Sequence, residues 1–243
     1  QDMALGWMES IQTTLKVLMG EAPYSFVDES CPAKEGRKDS ETKHMYALVQ
    51  LYNKMFVSYI FQDVGAGGIL AKRCWEQLLK KDYESQECSD VAFICGLASA
   101  AVMRRTNDRR ERTTHNKILK GAVKKFRSWS KTSPRSTYSK LFLLQAEEAS
   151  LRHQDSRAAG KYLVAIATAE SVGFLYEVAI GNENAGRFYL SRGKKDVAVP
   201  YYTKALEAYN KAKATGKAKN LRQELDLLHE GMLGASVLSF SFE

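Results

Sequence analysis

Apolar side chains recur at intervals of three and four along most of the chain, which is the period of a helix with one buried face. Between Met3 and Met19 they fall at Leu5, Met8, Ile11, Leu15 and Leu18 and predict a first helix. The run from Glu41 to Asp63 is apolar and aromatic around most of its circumference, with Met45, Leu48, Tyr52, Met55, Phe56, Tyr59 and Ile60, and predicts a central helix. Further helices are expected after Gly65-Ala66-Gly67-Gly68 to about Asp82, over Ser89–Arg105 and Thr113–Lys131, and from a capping Ser136 to about His153. Others are expected over Ser156–Ser171, Tyr176–Arg192 and Lys194–Lys213, and from Lys217 to Met232. Short polar breaks between them favour antiparallel hairpins. Residues 20–42, with two prolines and the run Lys34-Glu35-Gly36-Arg37-Lys38-Asp39, read as an exposed loop, and 233–243 as a tail.

The whole chain therefore reads as all-α, an antiparallel helix-hairpin solenoid of about 9–11 helices. Only four prolines occur and no strand-turn-strand pattern interrupts the helical runs. A hydrophobic content of 44% with 26% charge excludes a disordered chain, and 243 residues suit one stacked domain spanning 1–243. The absence of an initial methionine leads us to expect a fragment of something longer.

Internal repetition sharpens this picture. Ala122, Phe126 and Trp129 are spaced four and three, as are Ala158, Tyr162 and Ala165, and again Ala198, Tyr202 and Ala205. A small side chain lets two helices approach, and an aromatic one turn later fills the groove against the next pair. Gly186, Tyr189 and Gly193 stand twelve, nine and five residues before Ala198, and Pro134 twelve after Ala122. These positions resemble the tetratricopeptide pattern, with irregular spacings of 36 and 40 between the alanines instead of a strict 34. Upstream, Gly67, Ala71 and Cys74 or alternatively Ala71, Trp75 and Leu78 fit the same triplet.

Over about Tyr46 to Arg222 a closer likeness rests on Lys124-Lys125-Phe126-Arg127-Ser128-Trp129, Leu141-Phe142-Leu143-Leu144-Gln145-Ala146-Glu147, Ala214-Thr215-Gly216-Lys217-Ala218-Lys219 and above all the stretch Asn182 to Gly193. The segment resembles the tetratricopeptide-like region of large signalling chains that join a serine/threonine kinase domain, an ATPase module, a GAF sensor and a histidine kinase or cyclase. That resemblance implies a non-enzymatic protein-protein interaction scaffold between the ATPase module and the sensor or output domains. None of the family's catalytic or phosphate-binding motifs falls in this segment.

The chemistry-bearing residues do not assemble into a site by spacing. Gly65-Ala66-Gly67-Gly68 lacks the Gly-Lys-Ser/Thr of a phosphate loop, and Leu70 stands where a dinucleotide fingerprint needs glycine, so a tight turn between helices is the better reading. His44, His115, His153 and His229 have no acidic or cysteine partner at a metal-binding interval. Ser150 and Ser191 lack a nucleophile-elbow context. Neither a catalytic residue nor a cofactor or metal is expected. Cys31, Cys74, Cys88 and Cys95 form no CxxC pair and read as reduced thiols of a cytoplasmic protein. The longest apolar run, Val91 to Met103, is 13 residues and too short for a membrane span.

Charge adds the remaining information. Arg104 to Arg135 holds twelve Lys or Arg against two acids, while the chain as a whole carries +8. Arg104, Arg105, Arg109, Arg110, Arg112, Lys117, Lys120, Lys124, Lys125 and Arg127 make a basic stripe that reads either as a solvated helix face whose charge aids solubility or as a surface for an acidic protein. Nucleic acid or an anionic surface is the alternative partner, weakened because Phe126 and Trp129 occupy buried repeat positions and are unavailable for base stacking. On the expected concave wall, helical phase offers Lys140, Gln145, Glu148, Asn182, Asn184, Arg187 and Arg192 as exposed contacts for a peptide or a neighbouring domain.

Overall fold

The computed structural model describes residues 12–22, 40–80 and 86–231, and every regular element among them is helical. In chain order these are α1 (12–19), α2 (Ser40–Ile60), α3 (Val64–Lys80), α4 (Gln86–Arg105), α5 (Arg109–Trp129), α6 (Pro134–Leu151), α7 (Asp155–Val172), α8 (Leu175–Leu190), α9 (Lys195–Lys211) and α10 (Thr215–His229). The chain divides into two compact units, Gln1–Ala122 and Val123–Glu243. Cys31, most of the expected loop and the expected tail lie outside the described residues. Of its described residues, 20–22 form a turn and bend after α1, as expected of a loop, whereas 40–42 belong to α2, which begins at Ser40.

In the first unit α2, α3 and α4 pack on one another. The α2–α3 turn is made by residues 61–63, with Gln62 in the left-handed region at φ 63°. Asp63 Oδ1 then accepts the Ala66 amide at 3.0 Å, capping α3. The glycine run is therefore no turn, as the sequence suggested, but the first turns of α3. Gly68 has a packing reason: a Cβ there would fall 2.6 Å from Cγ2 of Val102 on α4, so the missing side chain sets how closely α3 and α4 approach. Gly121 on α5 likewise lies against Trp75, where a Cβ would come 2.4 Å from the indole. The core is completed by Leu48, Met55, Ile60, Leu78, Ile94 and Leu97.

The polar stretch 106–112 was expected to separate α4 from the next helix, yet only 106–108 does so. Asp108 Oδ1 accepts the Arg110 amide at 2.7 Å, which lets α5 start at Arg109.

In the second unit α6 packs on α7, α7 on α8, α8 on α9 and α9 on α10. Pro134 opens α6 at its first turn, where a missing N–H costs nothing. Ser136 is not its cap; it lies inside the helix and donates to the Ser133 carbonyl. Gly173 and Gly193 terminate α7 and the turn after α8 at φ 84° and 70°, conformations that a Cβ disfavours. Rising residue numbers on one helix meet falling numbers on the next: Glu147 reaches Tyr162, and Gly186 lies against the Tyr202 ring, 3.0 Å from where its Cβ would stand. With Glu183 reaching Tyr209, and with Ile166 against Gly181 while Tyr162 meets Phe188, α8–α9 and α7–α8 are antiparallel. Of the three repeated triplets, every member is buried except Trp129, which is half-buried with its ring edge-on to Phe126.

Candidate interaction surface

The seven polar residues expected along the first helices of the second unit do not form an open wall. Lys140 is buried, with its ammonium 3.4 Å from Glu177 Oε1 and above the Phe174 ring, and Ser139 donates to the other Glu177 oxygen. Asn182 is fully buried and donates to the Val178 carbonyl at 2.9 Å, and Asn184 is also buried. Arg187 is held by Glu183 at 2.8 Å and by Glu224 at 3.2 Å. Arg192 chelates Asp155 with Nε and Nη2, donates to the Ser150 carbonyl at 3.1 Å, and stacks on Phe188. Gln145, Glu148, Arg187 and Arg192 remain half-exposed, but Glu148 is engaged with Arg152 at 2.7 Å and both arginines are held as described. The expectation of exposure therefore fails for Lys140, Asn182 and Asn184, and is reduced for Arg187 and Arg192. Helical phase fixes which face a residue occupies but not whether a neighbouring helix covers that face.

One of them, Arg187, belongs to an ionic cluster that sequence reading missed. Glu183 on α8 is buried and accepts three partners: Lys217 of α10 at 2.7 Å, Arg187 at 2.8 Å, and the Tyr209 hydroxyl of α9 at 2.8 Å. Burial alone would raise the Glu183 carboxyl; Lys217 and then Arg187 outweigh it and hold the group well below the ordinary carboxylate range. Glu147 on α6 is also buried and accepts a tyrosine hydroxyl, that of Tyr162 at 2.6 Å, from a different repeat position than Tyr209. The available signal was the i,i+4 pair Glu183 and Arg187 facing opposite charges on the next helix but one. These contacts fasten helix to helix, and they engage the Glu183 carboxylate and Arg187 Nη2, while Arg187 Nε and Asn182 Oδ1 are buried without a hydrogen-bond partner among the described residues.

The basic stripe differs. Arg109, Arg110, Lys117, Lys120, Lys124 and Arg127 are exposed on α5. Lys125 is half-buried over the Trp129 ring, and Arg112 donates to the Met103 carbonyl in the last turn of α4. Arg104 and Arg105 sit exposed in the last turn of α4, where cations offset the helix dipole. The lone acid of α5, Glu111, is drawn aside by the Thr106 hydroxyl and by Lys72 at 3.9 Å. An exposed helix face with positive charges and no interspersed carboxylate attracts anions.

His115 is buried on α5, its Nδ1 3.0 Å from the Ser99 hydroxyl. Burial and then Lys72 lower it to about 4, against an opposing pull from Glu111, so the imidazole is neutral at pH 7. At the start of α3, Asp63 occupies the position an anion would need, which removes the phosphate-loop reading on electrostatic grounds. Among the described residues no group of three or more His, Cys, Asp or Glu is placed to hold a metal ion, and no helix is long and apolar enough to cross a membrane. In comparisons with protein-family models, with curated proteins and with solved structures, nothing matches the chain.

Proposed function

We propose that the chain is a non-enzymatic, tetratricopeptide-like scaffold that holds an acidic protein segment on the basic face of α5. The observation that carries the scaffold reading is a ladder between alternate helices of the second unit. Ser139 of α6 bonds Glu177 of α8 across 38 residues, and Arg187 of α8 bonds Glu224 of α10 across 37, with a buried Tyr–Glu bond tying each ladder to a return helix. Polar contacts between alternate helices at similar chain intervals are in keeping with stacked helical hairpins. Scaffolds of this kind bind through surfaces and not through enclosed sites. The reduced, buried Cys74, Cys88 and Cys95 support a cytoplasmic location. A position between an ATPase module and a sensor or output domain of a signalling chain follows from the sequence resemblance.

An acidic protein is the preferred partner over nucleic acid because Phe126 is buried and Trp129 is covered in part by Lys125, which leaves α5 without a stacking platform. The test titrates a labelled Asp/Glu-rich peptide and a labelled DNA duplex against the chain at about 50 and about 200 mM salt. Peptide binding that survives the higher salt and falls about tenfold in a Lys117→Glu/Lys120→Glu variant is the expected result. Binding of duplex alone, collapsing with salt, assigns the stripe to nucleic acid and overturns the reading. Absence of binding to either overturns it as well.

A further inference from the structure

From the outward face of α7 we infer that this chain associates with a second copy of itself through an antiparallel α7–α7 contact. Gly160, Leu163, Val164 and Ala167 recur at the three- and four-residue interval of one helix face, and all are exposed. Leu163 is 61% and Val164 44% exposed, among the most exposed large apolar residues described. Lys161 does not mask the stripe, since its ammonium is turned onto the Phe142 ring at 4.6 Å.

The repeat supplies an internal control. Aligning Ala158 with Ala122 and Ala198 places Lys124, Arg127, Ser128 and Lys131 of the α5 repeat, and Pro200, Thr203, Lys204 and Glu207 of α9, at the positions of Gly160, Leu163, Val164 and Ala167. All eight are exposed, and none is a large aliphatic residue. The repeat therefore does not require an apolar outward face, and α7 has one for another reason.

The residues that flank the stripe identify the occupant. Arg157 stands six residues before Leu163 and Glu170 six after Val164; Gly160 stands three before and Ala167 three after. Two such helices crossing antiparallel about the Leu163–Val164 midpoint bring Arg157 of each opposite Glu170 of the other and Gly160 opposite Ala167. Leu163 then packs on Val164. An isologous dimer demands a surface complementary to itself under a two-fold rotation, and this face meets that demand in size and in charge. Glycine and alanine at the flanking contacts permit the helix axes to approach closely. Both charged residues are exposed and neither forms an ion pair among the described residues; Arg157 donates to the Gln154 side chain. This association is independent of any ligand on α5.

Sedimentation equilibrium of the 243-residue chain, run up to about 1 mM to reach weak interfaces, is the test. The expected result is a reversible dimer that Leu163→Lys weakens at least about tenfold without loss of helical circular dichroism. Arg157→Glu and Glu170→Arg each weaken self-association, and an equimolar mixture of the two variants restores it, because only the mixed pair places opposite charges together. A chain that stays monomeric, a dimer indifferent to Leu163→Lys, or a mixture that does not recover association each overturns the proposal.

Discussion

Lys217 Nζ lies 2.7 Å from Glu183 Oε1, with 1% of the lysine and 3% of the glutamate side chain exposed, so α10 is joined to α8 by a desolvated ion pair. Such a pair adds little net stability by existing but costs much when one partner is removed, because the survivor is left charged in a dry site. Because Arg187 and the Tyr209 hydroxyl still hold Glu183, Lys217→Met should lower the unfolding free energy by about 1.5–3 kcal/mol, and Glu183→Gln/Lys217→Met should recover part of that loss. Urea denaturation of the two variants checks it; equal destabilisation by both would contradict the pair's role.

The same carboxylate links stability to acid. Its folded proton affinity is depressed, so its contribution is fully present above the ordinary carboxylate pKa of 4.5 and is lost as pH falls toward the lower folded value. Glu183→Gln should therefore flatten the stability profile below about pH 4.5, measured by denaturant midpoints at successive pH values.

His115 acts earlier in the same titration. Its folded pKa of about 4 lies below the ordinary 6.5, so the unfolded chain binds the extra proton between those values and stability falls as pH drops through them. The groups facing it are Ser99 of α4, Lys72 of α3 and Glu111 of α5. A loss of roughly 1–3 kcal/mol between pH 6.5 and 4 is expected, and His115→Gln should remove most of that slope. A variant whose profile still falls like the parent's in this window would show that another group is responsible.

Two glycines inside helices make opposite predictions. Gly121→Ala places a methyl 2.4 Å from the Trp75 indole and should destabilise by about 1–3 kcal/mol, since the ring is packed and must shift. Gly160→Ala meets nothing within 4 Å and should stabilise by up to about 1 kcal/mol through helix propensity. Thermal melts of both variants at dilute concentration decide this, and a destabilising Gly160→Ala would contradict the open environment assigned to it.

The all-helical class and the core positions of the return helices were legible in the sequence. Ala158, Tyr162, Ala198 and Tyr202 lie 2% exposed or less, because a three- and four-residue apolar period has one compact solution. Helix ends were less legible: Asp63 and Asp108 accept the amides that start α3 and α5, while Ser136 caps nothing. The candidate wall was the least legible. Asn182 and Arg187 have the phase of a first-helix face, yet α10 presents Lys217 and Glu224 across it.

The sequence by itself determined that this chain is helical, which alanines and tyrosines its hairpins bury, and where its positive charge concentrates, because all three depend on local period and composition. Only the tertiary structure decided which polar residues are spent inside and which stay available. That choice depends on partners 37 residues or so away, as Arg187 and Glu224 are, and on the desolvation those partners impose. The same packing leaves Leu163 and Val164 facing outward, since α6 and α8 take up the opposite side of α7 and no described helix covers this one.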